Sequence, residues 1–325
     1  MSKIRIVTII CWVVSALVLI GLLVWFLTGS IFGGRFGWVN NWSFGFNFGN
    51  VQNLTGPFEA EGTYTVSTGG INSVEIDWVA GEVTLTPHSG TDIQFTEYAQ
   101  RNLRDNEKLY YRISDGTLEI SFTRRDRVNR MPPKRLEVLI PQAMSESMYG
   151  LDITTISGRV SVQDFSITEI DIGSVSGAIE IANIDAGNIS LESTSGAVNA
   201  SSVRVRNFDA SSVSGAVSLS EIYAAILDAS SISGRVEASG EFERVETEAV
   251  SGSITIISAV VPVSLNAESV SGSIDVHIPN QGEITVSHSS VSGRFSSDVP
   301  VLMQSGAAFR FATVSGAVRI YEFTD

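Results

Sequence analysis

Five acidic residues recur at one offset along this chain of 325 residues: Asp152, Asp171, Asp209, Asp228 and Glu246 each lie six positions before the glycine of a Ser-Gly step, with Ser190 interrupting the series. A column of carboxylates offers hard oxygen ligands, and calcium accepts such ligands in flexible geometry. Paired carboxylates also carry out glycoside hydrolysis, one as acid and the other as nucleophile or base. No aromatic or basic residue recurs beside these acids to hold a sugar. Two readings remain for them: a solvated face that keeps the body soluble, or a weak cation column.

A second cluster has the opposite sign. Arg124, Arg125, Arg127, Arg130, Lys134 and Arg135 place six basic residues within twelve positions, around Met131-Pro132-Pro133. It reads either as a solvated loop between strands or as an electrostatic contact with anionic envelope polymer, lipid headgroups or an acidic partner face. The nine Ser-Gly serines are equivalent to one another, whereas a catalytic serine is unique. His88, His277 and His288 show no metal-ligand spacing, and His288 falls in an inward-facing column. No nucleophile, base and orienting group come together, so the sequence implies no enzyme and assigns no catalytic or cofactor-binding residue.

What positions these residues is a repeat. Gly158, Gly177, Gly196, Gly215, Gly234, Gly252, Gly272, Gly293 and Gly316 are spaced 19, 19, 19, 19, 18, 20, 21 and 23 residues apart. A fixed period of this size marks a solenoid, in which each repeat buries its apolar face only by stacking on its neighbours. Seven positions before these glycines stand Leu151, Ile170, Ile189, Phe208, Leu227, Val245, Leu265, Val286 and Phe309. Two positions after them stand Val160, Ile179, Val198, Val217, Val236, Ile254, Ile274, Phe295 and Val318. Both columns are wholly apolar, and apolar residues alternate with polar ones on either side of the glycine, which is the period of strands.

The sequence therefore predicts an all-β fold, a single-stranded parallel β-helix or β-solenoid with ~19-residue rungs. Each rung reads as strand, Ser-Gly corner, strand and a looser return. Glycine at the corner is expected to supply a positive φ. Ser or Thr stands three positions before the glycine in eight rungs, Ala249 being the exception, and such hydroxyls are expected to pass hydrogen bonds from rung to rung. Regular repeats occupy 151–325; residues 57–150, where the register continues around Gly81 and Gly116, read as irregular opening rungs with polar insertions at 100–108 and 124–135.

The strand Val74 to Leu85 with its central glycine, the strand Lys134 to Pro141, and the Ser-Gly repeats after them resemble a bacterial family known as the putative adhesin family, a β-strand-repeat domain. The resemblance covers roughly residues 60–325 and implies a surface-exposed β-solenoid. It transfers no catalytic residue.

The first residues suggest a membrane. Ile6 to Leu27 is a run of 22 residues without a charge, enough as a helix to span roughly 33 Å. The expected organisation is a cytoplasmic stub at 1–5, a transmembrane helix at 6–28, and a linker or cap at 29–56, rich in glycine and aromatics such as Trp38, Trp42, Phe44, Phe46 and Phe48. Cleavage of the run as a secretory signal is the competing reading. Lys3 and Arg5 orient the N-terminus inward, so the expected localisation is the cell membrane, single-pass, with the C-terminal domain extracellular. The one cysteine, Cys11, lies in this run, so no disulfide holds the remainder.

A net charge of −14 disfavours nucleic acid as a partner. The expected function is binding, adhesion or envelope scaffolding without catalysis, with a cell-envelope polymer or another surface or membrane protein as partner and no cofactor. Self-assembly through terminal rungs is a further option. Two alternatives stand beside it: an accessory or sensor component of an envelope-stress system, and a carbohydrate-active enzyme on a β-helix.

Overall fold

The computed structural model describes residues 57–124, 131–303 and 308–323. The chain divides into two compact units, Met1–Phe46 and Asn47–Asp325, and every described residue belongs to the second. The segments 1–5, 6–28 and 29–56 lie outside the described residues. The localisation expected from them is corrected: among the described residues no helix is long and apolar enough to cross a membrane. The one described helix, α1 (Gln142–Ser145), has four residues, so a single-pass anchor with an extracellular domain is unsupported.

Strands account for nearly everything else. The opening strands are β1 (Glu59–Ser67), β2 (Ser73–His88), β3 (Asp92–Ala99), β4 (Tyr110–Ser114), β5 (Thr117–Ser121) and β6 (Lys134–Pro141). Long strands follow: β7 (Met148–Ser174), β8 (Ile179–Ser193), β9 (Val198–Ser212), β10 (Val217–Ser231) and β11 (Val236–Ala249). These stack in parallel at the predicted register, with Val160 beside Ile179, Ile179 beside Val198, and Val217 beside both Val198 and Val236.

Burial along β10 shows how one rung folds. Val217 and Leu219 point inward, then Ile222 and Ala224, then Leu227 and Ala229. The two phase shifts between these pairs are corners, so in the rungs of β7 to β11 the return predicted to be loose is a strand of its own and the rung has three faces, whereas at 259–263 and 279–283 the return is not a strand. The first face follows the Ser-Gly step, and the third precedes the next one. Between the first and second faces lies a column in left-handed conformation: Asp164 (φ 65°), Asn183 (φ 55°), Ser202 (φ 54°), Glu221 (φ 55°) and Gly240 (φ 150°). Four of these five residues bear a side chain, so the strain is held by the ladders on both sides.

The Ser-Gly glycines have a different role from the predicted one. None of the nine adopts a positive φ. Instead, a Cβ built on Gly215 would lie 1.9 Å from the carbonyl oxygen of Gly196, and one on Gly177 would lie 1.8 Å from that of Gly158. The backbones of successive rungs meet where a side chain would begin, and only glycine leaves that space. The hydroxyls three positions earlier close the corner. Ser212 is buried, accepts a hydrogen bond from the Gly215 N–H at 2.9 Å and donates to the Gly196 carbonyl at 3.1 Å. Ser231 does the same one rung on, accepting from Gly234 and donating to Gly215.

At the opening end, Gly81 pairs with Gly158 and Val74 with Leu151, so β2 is a full member of the stack. Gly116 is not a corner of the same kind. It forms the β4–β5 hairpin turn with Asp115, both at positive φ, and places Leu118 beside Val74 in the third-face column. β6 lies on β2 in parallel, and β3 and then β1 add to it antiparallel.

The closing end departs from chain order. Its strands are β12 (Ile254–Ser258), β13 (Ser264–Ser269), β14 (Ile274–Ile278), β15 (Ile284–Ser290), β16 (Phe295–Ser297), β17 (Val301–Met303), β18 (Phe309–Thr313) and β19 (Val318–Glu322). Phe309 pairs with Leu265 on one side and Val286 on the other, and Val318 pairs with both Ile274 and Phe295. The C-terminal rung is thus inserted beneath the one that precedes it in sequence.

Substituting Gly215→Ala should destabilise the chain by roughly 3 kcal/mol or more, because backbone must move. Ser212→Ala should cost about 1–2 kcal/mol for the lost buried hydrogen bonds. Denaturant unfolding of the two variants checks both the order and the size.

Candidate functional site

The third face carries the carboxylates. Asp209 pairs with Asp228, and Asp228 with Glu246, while Asp152 pairs with Glu75 of β2 and Asp171 with Ser190. The structure therefore brings all five predicted acids into one outward column and extends it to Glu75 and Glu119. A neighbouring column on the same face adds Asp77, Glu192, Glu248 and Glu268, with Glu248 directly beside Glu268. Among the described residues, no group of three or more His, Cys, Asp or Glu is arranged to hold a metal ion.

Crowding shows in the acidities. Burial between neighbouring side chains, reinforced by Asp171, Glu75 and Asp77, pushes Asp152 up to about 7. Asp228 rises to about 7 through burial and the charges of Asp209, Glu246 and Glu248. Asp171 and Asp209 rise to about 6, again with burial as the larger cause. The carboxylates still touch solvent, which screens part of the repulsion. Since these acids titrate above their ordinary value of 3.8 only when folded, the native state holds more protons between about pH 4 and 7. Their contribution to stability is greatest below that window and falls as pH rises through it. Asp228→Asn should raise Tm by about 2 °C at roughly pH 8 and leave it unchanged at about pH 4, as thermal scans across pH would show.

Of the basic cluster, Arg124, Lys134 and Arg135 are described, and each makes different contacts. Arg125, Arg127 and Arg130 lie outside the described residues. The Arg124 guanidinium sits 4.9 Å from the centroid of the Tyr110 ring, and Arg135 pairs with Glu82 at 2.9 Å and stacks over Phe58. Lys134 is fully buried, so its ammonium is not offered to any partner. It donates to the carboxylate of buried Glu97 and to the carbonyls of Glu107 and Phe122, and lies 4.0 Å from the centroid of the Phe122 ring. Glu97 in turn accepts from the Leu109 N–H. Burial holds the Lys134 ammonium down to about 8. Nothing local in the sequence marks this pair, whose partners are 37 residues apart. Lys134→Met should cost about 3–5 kcal/mol by stranding the Glu97 charge, and adding Glu97→Leu should recover most of it; a double-mutant cycle measures the coupling.

The first face holds a feature that was not predicted. A groove of about 540 Å³ crosses five rungs and is lined by Ser161, Gln163, Glu180, Asn199, Ser218 and Ser239, among others. It exists because the floor positions are small: Ala182, Ser201 and Ser220 stack below Ser239. On that same face nearer the closing end, the His277 ring stacks on Tyr321 at 4.7 Å, and Arg319 lies 3.7 Å from Asp275. His288 is at the closing rung, its ring 5.3 Å from that of Phe295. His88 hydrogen-bonds the Asp92 carbonyl at 2.9 Å, in a turn. Five of the nine Ser-Gly serines donate to carbonyls of the neighbouring rung: Ser157 to Val79, Ser176 to Ile156, Ser271 to Val250, Ser292 to Val314 and Ser315 to Val270.

The profile of one family, Toastrack DUF4097, matches residues 71–309, from the first stacked strand to the inserted C-terminal rung. The chain belongs to the Toastrack DUF4097 family. Comparison with curated proteins returns no match. Among solved structures, this Toastrack chain is similar to a putative adhesin from Parabacteroides distasonis ATCC 8503, at 13% identity and TM-score 0.49 over 81% of this chain and 97% of that one. A putative adhesin from Bacteroides fragilis NCTC 9343 gives 15% identity and TM-score 0.46 over 83% and 98%. A protein described as putative lipid binding, from Parabacteroides distasonis ATCC 8503, gives 16% and 0.41 over 83% and 98%.

Proposed function

We propose that this Toastrack chain is a non-catalytic binding or scaffold protein that holds an extended polyhydroxylated polymer, of the cell-envelope polysaccharide class, along the first face of its stack. The observation that carries this reading is the groove over five rungs, lined at each level by hydroxyl, amide or carboxylate groups. Hydroxyls and amides both donate and accept, which suits a neutral, hydroxyl-rich chain. Rungs repeat at about 4.8 Å, so a regular polymer meets a similar pair of side chains at each step and weak contacts add.

The test is co-sedimentation of the full-length chain with insoluble cell-wall polysaccharide. Ser201→Trp and Ala182→Arg fill the groove floor and should lower retention by about tenfold, whereas Tyr149→Ala, at an exposed site away from the groove, should not change it. A wild-type chain that is not retained, or groove variants retained as well as wild type, would end this reading.

A further inference from the structure

Charge is unevenly placed along the stack. Residues 136–280 carry 19 acidic and 5 basic side chains, a balance of −14 that equals the net charge of the whole chain. Residues 281–325 carry 4 acidic and 3 basic side chains. Two copies brought together through their third faces would oppose their carboxylates, while two copies brought together at their closing ends would not.

The closing end also presents, among the described residues, an edge without a strand partner. Among the described residues, β16 has a strand partner on one side only, β19, and Ser287–Ser290 of β15 pair only with β18. Native edges are commonly blunted by charge, proline or a covering element. Here Ile284 to Gly293 and Phe295 to Ser297 contain no charged residue. Apolar side chains stand out around the edge: Val291 is 64% exposed, Leu302 47% and Met303 52%. Phe295 is the one residue of its inward column that is not fully buried, and beside it His288 Nε2 is buried without a hydrogen-bond partner. The charges that flank the edge, Glu283, Arg294 and Asp298, are of both signs and exposed.

We infer that the closing rung docks a second copy of this chain, β15 and β16 of each meeting those of the other about a two-fold axis. Two identical edges pair antiparallel under such an axis, which extends the ladder across the contact. Arg294 of one copy then approaches Glu283 or Asp298 of the other, so the rim is self-complementary. At the opposite end the outermost described strands, β1 on β3 and β4 on β5, are added antiparallel and differ from the parallel edge of the closing rung, and a contact about a two-fold axis uses the same edge of both copies. The association therefore closes at two copies and does not grow into a filament.

Sedimentation equilibrium of the full-length chain should give twice the chain mass of 34.9 kDa. Ser296→Lys, on the outward side of β16, and Leu302→Glu should each raise the dimer dissociation constant by about tenfold or more without lowering Tm. Ser218→Lys, in mid-stack, should leave the dimer intact. A monomeric wild-type chain, an open-ended polymer, or a dimer indifferent to both Ser296→Lys and Leu302→Glu would each overturn the inference.

Discussion

Everything in this molecule is set by how closely one rung lies on the next at the Ser-Gly corner. The carbonyl of each glycine occupies the place where the next glycine would carry a Cβ, and a hydroxyl from the same rung ties that corner both to itself and to the layer below. Once the corners are in contact, the ladders must run in register, and every column becomes continuous. Apolar columns then give the core, and outward columns give faces whose chemistry repeats level after level. One local contact, repeated, thus decides the placement of groups far from it.

The faces that result are unlike one another. The third concentrates carboxylates, which resist ionisation as they crowd. The first has a floor of alanine and serine, whose small side chains leave a groove across five rungs. At the opening end the regular pattern gives way to antiparallel strands around a buried Lys134 and Glu97, a device that ties the loop near Leu109 to the stack by charge and hydrogen bonds.

Much of this was legible in the sequence because a stacked coil repeats its needs. Val, Ile and Leu at fixed offsets from glycine could only be inward columns, and once they were aligned the acids fell into line between them. The reason for the glycines was not legible, since positive φ and close backbone approach both select glycine. The left-handed corner was hidden because Asp164, Asn183, Ser202, Glu221 and Gly240 share no residue type. The groove escaped notice because small polar residues on a strand look like ordinary solvent-facing positions. Burial of Lys134 depends on a partner distant in sequence, and its neighbours Arg130 and Arg135 made it look like one more surface cation.

Chain order at the closing end was also invisible, since an apolar column fits equally well whichever rung comes next. That inserted rung changes what it means for this chain to be finished. Leu265 and Val286 each wait for Phe309 to come between them. The layer of β13 and β14 already rests on β11 and β12, but until the last residues have been made the layer of β15 and β16 has no ladder on its inner side, so the stack cannot be completed in the order of its synthesis. A chain cut short after Met303 would be missing an inner course of the wall, with the outermost course left resting on nothing.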